Sequence, residues 1–311
     1  MRLAYFGTSS FAVPALEALA PNVELVVTQP SRPSGRGNLL VPTPVGLMAL
    51  SLGIVVLSPD KARDAEFVSG IESRHFDALV VASYGQILSE RLLAAAKYGG
   101  INLHGSVLPK YRGAAPIARA MLAGETETGV TLMQMDKGMD SGAIIAIETL
   151  EIGPDETAGE LEARLADLAG EMAAAWLPRI LKGEYPKVPQ DHDKATLAPK
   201  LSSGEGLLRF TMSAANAYRS FRAFTPRPGA FFETSQGRLK LLRCSVSADS
   251  GEPGSVLGIG PEGLRIAMAV GALILTEVQP AGKKSTSWND FANGWRLKEG
   301  DSLKPRELPT V

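Results

Sequence analysis

Short apolar runs without polar alternation recur through the first 150 residues: Leu3–Phe6, Val23–Thr28, Ile54–Leu57, Ala78–Ala82, Gly100–Leu103, Val130–Met135 and Ala143–Ile147. Runs of this kind are what strands covered on both faces require. Helical segments fit between them, Phe11–Leu19 and Pro116–Ala123 among them. The alternation predicts an α/β, Rossmann-like, doubly wound and mostly parallel sheet. Residues 157–182 carry the clearest helical period, with Leu161, Leu165, Leu168, Met172, Trp176 and Ile180 on one stripe. Thr157 and Glu160 form a capping box at its start, Pro178 bends its last turn, and Gly183 lies just beyond its end. From Pro186 to Gly206 periodicity is lost and Pro, Lys, Asp and Ser accumulate, which predicts a linker over 186–206. A short helix follows at Ser213–Phe224, with Tyr218, Phe221 and Phe224 on one face. Five short strand candidates come next: Ala230–Glu233, Leu239–Ser245, Gly254–Ile259, Leu264–Ala267 and Ala272–Val278. Their spacing predicts a small OB-like β-barrel. The expected division is therefore a domain over 1–185, a linker, and a second domain over 207–311.

Composition changes this picture only modestly. The chain has 311 residues, 45% of them hydrophobic, ample for one large or two ordinary cores. No apolar run reaches the roughly 18 residues that span a bilayer, and the first apolar run is too short for a signal-peptide core. One cysteine, Cys244, forms no internal disulfide. A soluble, cytoplasmic, monomeric protein without membrane association is the expectation. Net charge is −1, but residues 200–311 carry 15 basic against 10 acidic side chains. A basic rear either receives an anionic partner or reflects the ordinary variation between domains.

The informative chemistry is concentrated in two runs, Gly100–Pro109 and Met135–Gly142. Of three histidines, His104 stands at a strand end two residues after Asn102. Residues i and i+2 of a strand share a face, so the amide and the imidazole project together. Asp140, on a glycine-flanked loop, can then orient the ring. A neutral amide donor, a titratable ring and an acid suit acyl-type transfer through a tetrahedral intermediate. Each of the three, taken singly, is more often a turn residue. The turn after the first strand, Phe6–Phe11, has one glycine and lacks the rest of the dinucleotide fingerprint, so NAD and FAD are not expected. Three scattered histidines and one cysteine offer no zinc spacing, and no metal is expected. The Gln29–Gly37 loop is long, basic and rich in Gly and Pro, and the Pro280–Ser287 turn carries a lysine pair. Both read either as exposed loops or as contacts to phosphate.

These stretches together resemble the methionyl-tRNA formyltransferases of the folate-dependent formyltransferase superfamily over essentially the whole chain. The resemblance is carried by Phe6-Gly7-Thr8, the Thr28–Gly37 loop, Ala82–Leu88, Asn102–Pro109, Arg112–Ile117, Gly129-Val130-Thr131, Met133–Asp136, Met139–Gly142 and Gln279–Lys284. It implies 10-formyltetrahydrofolate as donor and the methionine amino group of initiator tRNA as acceptor. It also implies a catalytic trio of Asn102, His104 and Asp140. The folate is expected along Tyr84, Gly85, Gln86, Ile87 and Leu88 and along Ser106, Val107, Leu108 and Pro109. The tRNA is expected at Arg32, Arg36, Arg227, Lys283 and Lys284. An amino sugar or glycinamide ribotide as acceptor, and a non-catalytic RNA-binding relative, are the alternatives. The chain departs from the family pattern in three places. Asn38-Leu39-Leu40 follow the basic loop in place of lysines, Gly46 replaces a further lysine, and Arg227 replaces an aromatic residue. The lost loop charges weaken the expected attraction to RNA.

Overall fold

Leu3–Gly7, Ala78–Ala82 and Gly100–His104 are buried at every position, as interior strands of a sheet covered on both sides must be. The computed structural model describes residues 2–34 and 39–305. Contacts divide the chain into two units. The first comprises Met1–Ala120, Thr126–Ile152 and Glu160–Lys200, the second Met121–Glu125, Gly153–Gly159 and Leu201–Val311. The second unit thus includes two short segments that a linear reading assigns to the first domain.

The first unit holds strands β1 (Leu3–Gly7), β2 (Val23–Val27), β3 (Arg32–Ser34), β4 (Leu39–Val41), β5 (Val55–Leu57), β6 (Ala78–Ala82), β7 (Gly100–His104), β8 (Glu127–Gln134) and β9 (Ile144–Glu151). Helices α1 (Val13–Leu19), α2 (Pro44–Ser51), α3 (Ala65–Glu72), α4 (Glu90–Leu93), α5 (Pro116–Ala123) and α6 (Ala158–Ile180) intervene or follow, the last three residues of α5 and the first two of α6 belonging to the second unit. The main sheet runs β5-β2-β1-β6-β7-β8-β9. Its first five strands are parallel, and β8 and β9 join antiparallel. The chain leaves β1 toward β2 and β5, then returns to β6 and β7 on the other side. The strand order therefore reverses between β1 and β6, and ligand crevices in such sheets lie beyond the carboxyl ends of the strands at that point.

All seven strand runs expected in this unit are present. β8 and β9 are longer than their apolar runs because they form a hairpin, pairing Glu127 with Glu151 at its far end. Ladder hydrogen bonds there tolerate polar residues. The basic loop after β2 is partly ordered as a hairpin of β3 and β4, with Arg32 opposite Val41. Helix α6 runs through Pro178 to Ile180. Its buried stripe passes through Leu161, Leu165, Ala169, Met172, Ala173, Leu177 and Ile180, so Leu168 and Trp176 flank the stripe instead of lying on it. Trp176 stacks beneath the Arg179 guanidinium at 4.3 Å. A Cβ on Gly170 would lie 3.1 Å from the Pro14 backbone, so glycine permits the close approach of α6 to α1.

The second unit contains β10 (Leu207–Leu208), β11 (Phe231–Thr234), β12 (Gly237–Ser247), β13 (Val256–Gly260), β14 (Gly263–Ala267), β15 (Ala272–Pro280) and β16 (Thr286–Ser287), with α7 (Ala214–Phe224) and α8 (Trp288–Trp295). Its strand order is β10-β11-β12-β15-β14-β13, with β16 on β15. Every pairing is antiparallel except β10 with β11. Phe210, Phe221, Phe224, Phe232, Leu264, Leu275 and Phe291 fill one core. Tyr218 stacks on Phe221, and its hydroxyl donates to Asp155 at 2.9 Å.

Candidate active site

Strand β7 delivers Asn102 and His104 on one face, both nearly buried at 7% and 6% exposure. Asp140 comes from the turn between β8 and β9. Its carboxylate reaches both: Asn102 Nδ2 donates to Oδ1 at 3.4 Å, and His104 Nδ1 lies 3.6 Å from Oδ2. The Gly113 N–H donates to Oδ2 at 2.8 Å. The three residues singled out from the sequence are thus gathered at the carboxyl end of β7, near the strand-order reversal.

The turn that presents Asp140 is a constrained one. Asp140 sits in the left-handed region at φ 49°, an uncommon conformation for a residue with a Cβ. Asp136 Oδ1 accepts from the Gly138 N–H at 2.9 Å and from the Ser141 hydroxyl at 2.8 Å, closing the turn from inside. A Cβ on Gly142 would fall 1.9 Å from the Gln134 carbonyl oxygen, so only glycine fits where the hairpin closes.

His104 is oriented from its other edge. Nε2 lies 2.9 Å from the Tyr111 carbonyl oxygen, which only accepts, so the neutral ring carries its hydrogen on Nε2. Nδ1 then bears the lone pair, and at 3.6 Å from the carboxylate it has no hydrogen bond among the described residues. The loop after β7 is pinned by Thr131 on β8, which stands opposite His104 in the ladder. Its hydroxyl donates to the Ser106 carbonyl at 2.6 Å and accepts from the Leu108 N–H at 3.1 Å. Thr131 and Gly113 lie in runs that carry the family resemblance, but nothing in the sequence marked them, or Tyr111, as supports of the site.

The segment expected to be a linker differs from that reading in its first part. Val188 bridges Ile144, Leu197 bridges Arg112, and Gln190 between them is buried. Residues 186–200 are a strap across the first unit, held by backbone hydrogen bonds that composition does not reveal.

In the stretch after β6, Tyr84 and Leu88 are buried, Gln86 is half-buried, and Gly85 and Ile87 are exposed. Tyr84 is 2% exposed, packed edge-on against Phe6 at 5.4 Å, and burial pushes its phenol up to about 12. Leu88 is also in the core. Gln86 ties down the preceding loop, accepting from the Ala62 N–H and donating to the Pro59 and Asp60 carbonyls. Gly85 and Ile87 are exposed, Ile87 at 87%. Ser106 and Leu108 are buried, while Val107 and Pro109 are partly exposed.

The formyl transferase family pattern matches residues 1–177, and the formyl transferase C-terminal domain pattern matches residues 200–296. The chain is 43% identical over 301 residues to the methionyl-tRNA formyltransferase of Myxococcus xanthus, covering 96% of each chain. It is 42% identical over 305 residues to that of Thermus thermophilus, covering 97% of this chain and 99% of the relative. The chain belongs to the methionyl-tRNA formyltransferase family. Two solved structures share the fold at lower identity. HypX from Aquifex aeolicus, in complex with tetrahydrofolic acid, superposes with a TM-score of 0.68 at 16% identity, and this chain spans 50% of it. The N-formyltransferase of Helicobacter canadensis, in complex with folinic acid and dTDP-3-aminofucose, gives 0.63 at 17%, covering 88% of this chain and 98% of that one.

In this methionyl-tRNA formyltransferase family member the basic residues are spread over both units, Arg32 in the first and Arg227, Lys283 and Lys284 in the second. Arg32 on β3 is exposed, and Arg36 lies outside the described residues. Arg227, before β11, and Lys283 and Lys284, after β15, are exposed. None of these four described cations has an acidic partner among the described residues. No helix among the described residues is long and apolar enough to cross a membrane.

Proposed function

We propose that the chain transfers a formyl group from 10-formyltetrahydrofolate to the methionine amino group of initiator methionyl-tRNA. The observation that carries this reading is the convergence of Asn102, His104 and Asp140 at one strand end, in a chain of this family. The crevice has groups that fit a folate. The peptide N–H and C=O groups of residues 85–88 make no hydrogen bond to described residues, and so offer a free edge to the donors and acceptors of a pterin. Ile87 adds an exposed apolar contact.

Bound there, the donor supplies a formyl carbon on a nitrogen able to leave. Asn102 has two N–H donors; one is spent on Asp140, and the other is available to the formyl oxygen as negative charge develops. An amide suits this role because it never ionises. His104 Nδ1 holds the lone pair, accepts the proton lost by the attacking amine, and returns it to the folate nitrogen as the bond from that nitrogen to the formyl carbon breaks. Asp140 then faces a cationic ring and balances its charge, while the Tyr111 carbonyl keeps the ring from turning. Arg32, Arg36, Arg227, Lys283 and Lys284 serve the phosphates of the tRNA, positioning it without reading bases.

The test is direct. Purified protein is incubated with 10-formyltetrahydrofolate and charged initiator tRNA, and the product is resolved on an acid gel. Formylated methionyl-tRNA is expected. Transfer to a nucleotide amino sugar in its place, or formate release without an acceptor, would overturn the reading.

A further inference from the structure

We infer that Gln190 is a positioning residue of this site, holding the Asp140 turn so that one carboxylate faces both Asn102 and His104. The inference rests on the role of Asp140 proposed above.

Gln190 is 6% exposed and uses its whole hydrogen-bonding capacity. Its Nε2 donates to the carbonyls of Asp140 at 2.9 Å and Gly142 at 2.8 Å. Its Oε1 accepts from Arg112 Nε at 3.1 Å and Nη2 at 2.6 Å. The orientation of the amide has one solution, because a guanidinium only donates and carbonyls only accept. Arg112 is itself buried; its remaining side-chain partner is His192 Nδ1 at 3.1 Å. The strap carrying Gln190 is anchored on both sides of the turn. Val188 exchanges two backbone hydrogen bonds with Ile144, at 2.8 and 2.9 Å, where β9 begins. Ala198 N donates to the Arg112 carbonyl at 2.7 Å, and Arg112 N donates to that of Thr196 at 2.9 Å.

A left-handed non-glycine residue is strained and persists only when its surroundings over-determine it. Asp140 is held through its side chain by Asn102 and Gly113, but those contacts are the ones chemistry must use. Among the described residues Gln190 alone grips its carbonyl, on the backbone and not on the carboxylate. It thereby fixes the backbone while leaving the carboxylate oxygens to the ring and the amide.

The experiment uses Gln190→Met, which keeps the volume and loses all four hydrogen bonds, and Gln190→Glu, which keeps an acceptor for Arg112 but turns oxygen toward two carbonyls. Both are expected to lower kcat by about 10²-fold, the scale of an angstrom-sized misplacement, with KM for folate and tRNA near the unmodified values. In an Asp140→Asn background the same substitutions are expected to cost little more, because both changes act on one element. Losses that multiply across the two sites, or an unchanged kcat, would overturn the inference. Amide exchange provides a readout independent of activity: Gly113 and residues 138–142 are expected to exchange faster in both variants, and unchanged exchange overturns the positioning role. Should the unmodified protein fail to formylate tRNA, the functional reading falls, and the exchange experiment still decides the role of Gln190. Should Gln190→Met fail to fold, Gln190→Glu carries the same measurements.

Discussion

At the residue scale, the site divides its labour between groups that differ in what they can donate. Asn102 has a donor to spare, and His104 has a lone pair fixed on Nδ1 by the Tyr111 carbonyl. Replacing Asn102 by Ala is expected to lower kcat by about 10²- to 10³-fold, the usual loss of an oxyanion donor, with KM for folate little changed. His104→Ala is expected to lower kcat by about 10²- to 10⁴-fold while the thermal midpoint stays close to the unmodified value; steady-state formylation assays and a melting curve check both. Tyr84 makes the opposite case. Its hydroxyl is buried and makes no hydrogen bond among the described residues. Tyr84→Phe should therefore leave kcat and both KM values unchanged and be neutral or stabilising by about 1 kcal/mol. Its phenol is raised by burial to about 12, against 10 for an ordinary tyrosine. The unfolded chain thus loses this proton first, and the stabilisation is complete below pH 10 and is lost as pH climbs toward 12. Urea midpoints over that range should fall less steeply in Tyr84→Phe than in the unmodified protein; parallel curves would contradict the assignment.

At the scale of elements, the parallel strands supply position and the antiparallel hairpin supplies the acid. Strand β7 fixes Asn102 and His104 by its two-residue repeat alone. The β8–β9 turn must instead fold back by an amount set by Gly142, whose missing Cβ admits the Gln134 carbonyl. Gly142→Ala is expected to destabilise by about 1–3 kcal/mol, the range for forcing atoms into filled space. It should also lower kcat by displacing Asp140; a melting curve and a kinetic assay together check this. Much of this level was legible beforehand, since all seven strands of the main sheet and the 158–180 helix fall where apolar runs and helical period place them. The β3–β4 hairpin and the strap were not, because such short segments are ordered by partners distant in sequence; α8 was missed although Trp288, Phe291, Ala292 and Trp295 recur at helical spacing behind the Ser287 cap.

At the scale of the whole molecule, charge is unevenly spread along the chain. Arg227, Lys283 and Lys284 are exposed without acidic partners among the described residues, so their charge is available to a polyanion. Replacing Arg227 and the lysine pair by Glu is expected to raise KM for tRNA and leave KM for folate alone. Each lost phosphate contact should also reduce the slope of log K against log salt by about 1. Equal effects on both substrates, or an unchanged salt slope, would remove the RNA role from these residues. The missing lysines after the basic loop predict a shallower salt dependence than in family members that have them.

The order of apolar runs was sufficient by itself to determine the doubly wound sheet, because strand burial and crossover handedness leave few other ways to cover these faces. The two-residue spacing likewise settled that Asn102 and His104 share a face. Sequence did not settle how Asp140 reaches them, which hydrogen the imidazole carries, or that Gln190 belongs to the site. Those depend on groups 7 to 78 positions apart meeting within hydrogen-bond range. Such meetings are fixed by the packing of the strap and hairpin onto the sheet, and distance along the chain holds no record of them.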